Sequence, residues 1–215
     1  MRICGIDEAG RGAVIGPMVI AGILVDQSRV GELIEAGVRD SKELTPGVRA
    51  ELSKLIREIA ERVELIVVEA RLVDESTRRS GAKGINELEA RMIAEIINRL
   101  RPDAAFIDLP STKYHDFRAL IERYAGHKCS LILEHKADRK YPVVSAASII
   151  AKHERDTLIK KLRAELGDFG SGYPSDPKTR NFLLQALMRG DLRKEHIRLT
   201  WKTISKLAQR RLEDF

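Results

Sequence analysis

The sequence predicts an α/β protein: a mixed five-stranded sheet flanked by helices, followed by a helical C-terminal region. Three observations point there. Five short apolar runs of strand composition are spread along the first two thirds of the chain. Segments with apolar residues at helical spacing lie among them. Beyond the fifth run, the spacing is helical.

Taken in order, the first strand is read over Arg2 to Asp7, around the apolar run Ile3 to Ile6, and the second over Pro17 to Val25, ended by Asp26. Thr45 as N-cap and Pro46 in the first turn open a helix. Leu52, Leu55, Ile56, Ile59 and Val63 keep its spacing. Val63 to Glu69 is short and β-branched, a third strand. Leu72 to Gly84 reads as a charged connector without a period. Asn86, with Glu89 three residues on, forms a capping box for a helix that runs through Leu88, Met92, Ile93, Ile96, Ile97 and Leu100. Ala104 to Ile107 is a fourth strand ending on Asp108. Phe117, Leu120, Ile121 and Tyr124 mark a short helix, and Cys129 to Leu133 is the fifth strand. Asp138 follows in a polar turn. The small-residue run Ser145-Ala146-Ala147-Ser148 then leads a helix through Leu162. After the loop Gly170 to Pro177, Asp176-Pro177 caps another helix, and a basic segment closes the chain.

Composition narrows the function classes. With 43% hydrophobic and 33% charged residues, the chain is a folded protein rather than a disordered one. Its 215 residues suffice for one compact unit, read as a catalytic domain over residues 1–168 and a helical region over 169–215. There is no secretory pattern at the N-terminus, and Gly16 to Val25 is too short to cross a bilayer. Cys4 and Cys129 lie in apolar runs without zinc spacing, so they read as buried, reduced thiols in a cytoplasmic protein. Between Arg189 and Arg211, eight basic residues (Arg189, Arg193, Lys194, Arg198, Lys202, Lys206, Arg210, Arg211) face only Asp191 and Glu195, a surplus equal to the net charge of +6 on the whole chain. A basic end on a balanced body points to a polyanion partner, with a solvated helix face as the plainer alternative.

The chemistry concentrates at the start. The first strand runs into Asp7-Glu8, and these into Gly10-Arg11-Gly12. Adjacent carboxylates persist most readily where a cation neutralises them, and glycines let backbone N–H groups approach a phosphate. Taken alone, the stretch is equally a solvated turn. Two strands end in aspartate, at Asp7 and Asp108, and Asp138 sits five residues beyond a third. In open α/β sheets, ligands gather at the carboxyl ends of strands, so Asp7, Glu8, Asp108 and Asp138 can surround one point. Singly, each has a reading as a turn residue, and for Asp138 alone that reading is preferred. All-oxygen ligands suit Mg2+ or Mn2+ rather than zinc. No nucleotide-binding glycine fingerprint is present.

The motifs Gly5-Ile6-Asp7-Glu8-Ala9-Gly10-Arg11-Gly12, Gly16-Pro17, Asp40-Ser41-Lys42, Ile107-Asp108, His135-Lys136-Ala137-Asp138, Ser145 to Lys152 and Gly170 to Pro177 occur in this order along nearly the whole chain. By them the chain resembles the type 2 ribonucleases H (ribonuclease HII) of the archaeal kind; Ala13 is a departure that touches no chemistry. The resemblance implies a ribonuclease H-like sheet and an endonuclease that cuts the RNA strand of RNA–DNA hybrids. It also implies nicking of duplex DNA on the 5′ side of an isolated ribonucleotide, leaving 3′-hydroxyl and 5′-phosphate ends. Asp7, Glu8, Asp108 and Asp138 would be the carboxylates of a site for two divalent ions, Mg2+ or Mn2+. The backbone of Gly10, Arg11 and Gly12 would feel the 2′-hydroxyl, and Tyr173 would lie against the sugar at the junction. Lys42 would contact a phosphate, Ser145 and Ser148 the DNA backbone or simply the helix start, and Asn86 the DNA besides its cap. His153 and His196 receive no role. Trp201 is expected to anchor the last helix to the body, leaving Lys206, Arg210 and Arg211 to attract phosphate. The chain is expected to be a monomer, and its ending Arg211-Leu212-Glu213-Asp214-Phe215 reads as a fraying tail more than as a sliding-clamp motif.

Overall fold

The computed structural model describes residues 1–38, 44–110 and 114–213. Its strands are β1 (Arg2–Ala9), β2 (Met18–Asp26), β3 (Arg62–Val68), β4 (Ala104–Asp108) and β5 (Ser130–Glu134). The helices are α1 (Val30–Glu35), α2 (Pro46–Ile59), α3 (Ala70–Ser80), α4 (Ala82–Leu100), α5 (Tyr114–Tyr124), α6 (Ala137–Lys140), α7 (Pro142–Leu166), α8 (Pro177–Arg189) and α9 (Lys202–Glu213). The strands form one mixed sheet in the order β3-β2-β1-β4-β5. Central β1 is antiparallel to β2 and parallel to β4, which is parallel to β5. This is the five-stranded α/β sheet that the sequence predicts.

Burial explains the composition of the central strands. β2 is buried from Met18 to Val25, and such strands read as unbroken apolar runs rather than alternating ones. Where helices press closest, glycine replaces a side chain. A Cβ on Gly5 would lie 2.1 Å from the Val143 carbonyl oxygen of α7, and one on Gly22 would lie 2.2 Å from Ile96 of α4. At the outer edges the strands carry or contact charged side chains. Arg62 of β3 pairs with Glu64 at 2.8 Å, and on β5 the carbonyl of Leu131 accepts from Arg118 of α5 at 3.1 Å.

Packing divides the chain into two units. One comprises Met1–Ala9, Val19–Ile66 and Asn86–Glu154, and holds most of the sheet. The other comprises Gly10–Met18, Val67–Ile85 and Arg155–Phe215. Its core is Val14, Ile15, Ile159, Phe169, Leu183, Ile197, Ile204 and Leu207, with Ile15 and Ile197 joined by an antiparallel bridge. No helix among the described residues is long and apolar enough to cross a membrane.

Both caps read from sequence form: Thr45 accepts from the Val48 N–H at 3.4 Å, and Asp176 from the Lys178 N–H at 2.9 Å. Three readings need correction. β1 does not stop at Asp7 but continues to Ala9, because residues 8 and 9 still pair with Ile20 and Val19. The stretch 72–84 is not a connector; it is most of α3 and the start of α4. Asn86 therefore lies inside α4, which already runs from Ala82, and does not cap it.

Candidate active site

Parallel pairing sets the first acids side by side. Ile6 of β1 is in register with Ile107 of β4, so Asp7 and Asp108 follow as neighbours toward the carboxyl ends of adjacent strands. Asp108 accepts from the Ala137 N–H at 2.8 Å, which ties the start of α6, and with it Asp138, to the end of β4. Asp7 is 6% exposed and Asp138 3%. Burial raises the Asp7 carboxyl well above the usual range, and the charges of Glu8 and Asp108 push the same way. A hydrogen bond from Ser148, on α7, and one from the Glu8 N–H at 2.7 Å oppose the shift.

Asp7, Glu8 and Asp108 are thus close enough at one end of the sheet to feel each other's charge, and Asp138 follows the residue bonded to Asp108. They are not closed into a ligand shell: among the described residues, no three His, Cys, Asp or Glu side chains stand together at metal-binding distances. The longer β1 accounts for part of this. Glu8 lies within the strand, where successive side chains alternate faces, rather than in a turn beyond it. The donor set still suits a hard divalent ion, since it is all oxygen and its like charges lie close enough to raise the Asp7 carboxyl, the repulsion a cation would relieve.

Sequence reading missed a fifth acid. Glu134 is in register with Asp108 at the end of β5. Lys140 bonds both its oxygens, at 2.9 and 2.7 Å, and Tyr141 donates at 2.6 Å. Lys140 first and Tyr141 second hold this carboxyl below its ordinary range, so its charge is already answered. Ser145 and Ser148 are buried in the opening turns of α7. Asp40, Ser41 and Lys42 lie outside the described residues.

The second group belongs to the other unit. Gly10 has φ +84°, and its N–H donates to the Tyr173 hydroxyl at 3.1 Å. The Val14 and Ile15 N–H groups donate to the Gly172 carbonyl at 2.8 and 3.1 Å, which joins the Gly10–Gly12 turn to the loop before α8. Thr179 of α8 fixes that loop from inside, accepting from the Gly172 N–H at 3.0 Å and donating to the Phe169 carbonyl at 2.8 Å. Two buried arginines that no sequence signal marks complete the arrangement. Arg155 is 4% exposed, lies 4.6 Å over the Tyr173 ring and donates to the Ser171 carbonyl at 3.2 Å. Arg198, counted above with the basic end, is fully buried; it donates to the carbonyls of Arg11 at 2.7 Å and Gly16 at 3.0 Å. Trp201 donates to the Gly12 carbonyl at 3.3 Å, which fits the anchoring expected of it.

Sheet order, strand directions and acids at the ends of the two parallel central strands define a ribonuclease H-like α/β enzyme. A model of the family "Ribonuclease HII" matches residues 4–204, so the chain belongs to the ribonuclease HII family. Ribonuclease HII of Pyrococcus furiosus is 44% identical over 97% of this chain and 92% of that protein. The crystal structure of ribonuclease H2 from Pyrococcus horikoshii superposes with a TM-score of 0.87 at 40% identity, covering 98% of each chain. The ribonuclease HII of Archaeoglobus fulgidus, solved in complex with PCNA, gives 0.83 at 44% identity over 94% of this chain and 96% of that one. This protein is a metal-dependent endoribonuclease of the kind that degrades RNA in RNA–DNA hybrids.

Proposed function

We propose that the chain cuts RNA–DNA hybrids and also nicks duplex DNA on the 5′ side of a single embedded ribonucleotide, leaving 3′-hydroxyl and 5′-phosphate ends. What carries the reading is the neighbouring pair Asp7 and Asp108 toward the carboxyl ends of parallel strands, with the Asp7 carboxyl raised above its ordinary range by burial and by the charges beside it. Asp7, Glu8, Asp108 and Asp138 would hold two divalent ions, Mg2+ or Mn2+. When bound, such ions supply an activated water and neutralise charge on the leaving 3′ oxygen.

The remaining work falls to the chain itself. The main chain of Gly10, Arg11 and Gly12, which begins two residues after Glu8, reads the 2′-hydroxyl. Tyr173, bonded to the Gly10 N–H, lies against the sugar at the RNA–DNA junction. Ser145 and Lys42 contact phosphates, and Lys206, Arg210 and Arg211 add long-range attraction. The PCNA complex of the Archaeoglobus relative supports a second contact, with a sliding clamp.

The test is a labelled DNA duplex with one ribonucleotide, incubated with Mg2+, Mn2+ or EDTA. Metal-dependent nicking 5′ of the ribonucleotide, absent on all-DNA duplex and absent with Asp7→Asn, is the expected result. Cleavage of long hybrids only would remove the junction role of Tyr173. Unchanged turnover by Asp7→Asn would remove the carboxylate mechanism.

A further inference from the structure

Arg155 is an expensive residue to bury. Desolvation disfavours its charge and lowers its pKa, it forms no ion pair with a carboxylate among the described residues, and its Nε has no hydrogen-bond acceptor. Salt-bridged arginines elsewhere in the chain sit at the surface. The groups around Arg155 are those of the reading loops. Its guanidinium covers the Tyr173 ring at 4.6 Å, and Nη2 holds the Ser171 carbonyl two residues earlier at 3.2 Å. Its Nε fills the place of the missing side chain of Gly10, where a Cβ would lie 2.3 Å away. The Gly10 N–H in turn holds the Tyr173 hydroxyl.

We infer that Arg155 is a positioning residue: it closes a triangle with Gly10 and Tyr173 that fixes the tyrosine before substrate arrives. One edge is the cation over the ring, the second the Gly10–Tyr173 hydrogen bond, and the third the contact of Arg155 with a glycine that cannot be anything larger. Both ends of the Tyr173 side chain are thereby held, so little ordering remains to be done when a sugar meets it. A lysine cannot replace the planar fork, because an ammonium has neither a face to stack nor a second nitrogen for the Ser171 carbonyl. The inference rests on the reading of Tyr173 as the junction contact, and extends it to a residue that need not touch substrate.

The test is a double-mutant cycle in the full chain: Arg155→Lys, Tyr173→Ala and the combination. Each is assayed for kcat and KM on a single-ribonucleotide duplex and on a long hybrid, with thermal unfolding of each protein. Misplacing a contact by an ångström costs on the order of tenfold to a hundredfold in rate. Arg155→Lys is expected to lower kcat on the single-ribonucleotide duplex by about that factor, with KM moving less than about threefold. The combined variant should be no slower than Tyr173→Ala. Losses that multiply, or a loss that follows only the unfolded fraction, overturn the inference. Failure of the junction reading looks different: Tyr173→Ala alone then slows both substrates equally, while the cycle still decides whether Arg155 acts through Tyr173.

If Arg155→Lys does not fold, variants at 173 test the stack with Arg155 intact. Tyr173→Phe keeps the ring under the guanidinium and should retain most of the preference between the two substrates, whereas Tyr173→Leu should lose it. Phe as poor as Ala, or Leu as good as Tyr, overturns the inference.

Discussion

Replacing Gly5 by alanine should damage stability and catalysis by separate routes. The new Cβ would lie 2.1 Å from the Val143 carbonyl oxygen, 2.2 Å from its carbon and 2.6 Å from the Val144 nitrogen. Ordinary carbon–oxygen contacts are about 3.3 Å, so roughly 1.2 Å must be found. All three atoms are main chain at the opening of α7 and have no rotamer to change. Gly5 cannot retreat either, being in register with Ile23 on one side and Phe106 on the other. Overpacking of this kind costs about 1–3 kcal/mol. In a chain of this size, each kcal/mol moves Tm by about 2–4 °C, so Tm should fall by roughly 2–12 °C. The same displacement moves Ser148, whose hydroxyl bonds Asp7, by an ångström or so. Cleavage measured well below the new Tm should therefore drop by about tenfold or more. Calorimetry beside a hybrid-cleavage assay checks both. A Gly5→Ala protein with unchanged Tm and full rate would refute the packing argument; lost stability with full rate would show that α7 does not set Asp7.

Gly12 separates fold from substrate. Nothing lies within 4 Å of a Cβ there, so Gly12→Ala should melt like the parent yet lose activity if the backbone approaches a ribonucleotide; full activity would free that backbone from contact. The buried Asp7 sets a pH slope in metal-free protein. Its raised folded pKa means that the folded state holds the proton more tightly, so its contribution is present at low pH and lost as pH rises from the ordinary value of 3.8 through the folded one. Unfolding in EDTA across that window should show the loss in the parent and not in Asp7→Asn, and parallel curves would dismiss it. Asp74, on α3, accepts from the N–H and the hydroxyl of Thr200, both at 2.7 Å. Asp74→Ala leaves the half-buried Thr200 N–H and hydroxyl without this acceptor and should cost about 1–3 kcal/mol, read as a lowered Tm; no change would mean that water replaces the carboxylate.

Much of the fold was legible because its signals are local. A strand buried on both faces has to be apolar throughout, and a capped helix shows its Thr-Pro or Asp-Pro in neighbouring positions. Asp7 and Asp108 were legible for the same reason: each follows an apolar run directly, and parallel pairing sets the two side by side. What stayed hidden depends on distant partners. α3 buries only Ala70, Val73 and Asp74. One of these is an aspartate whose bonds reach 126 residues along the chain, so no apolar stripe announces the helix. Arg198 looked like surface charge because its acceptors, the carbonyls of Arg11 and Gly16, are 187 and 182 residues away. Main-chain acceptors leave no mark in a sequence. The capping-box pattern at Asn86 misled, since Ala82 to Ile85 already wind into the helix and leave Asn86 in its interior.

The sheet's outer edges bear on a different property. Among the described residues, β3 and β5 each leave one row of backbone groups without a neighbouring strand, the usual template for pairing with another chain. On β5, Arg118 occupies the Leu131 carbonyl, and the strand ends in the charged pair Glu134–Lys140. On β3, Arg62 bonds both Glu64 and the Arg99 carbonyl. An incoming strand would have to displace the Arg118 guanidinium on β5, or desolvate the Arg62–Glu64 pair beside β3. The chain can therefore open locally around its outer strands, as any enzyme does when warmed, with a barrier against recruiting a second copy into an aggregate.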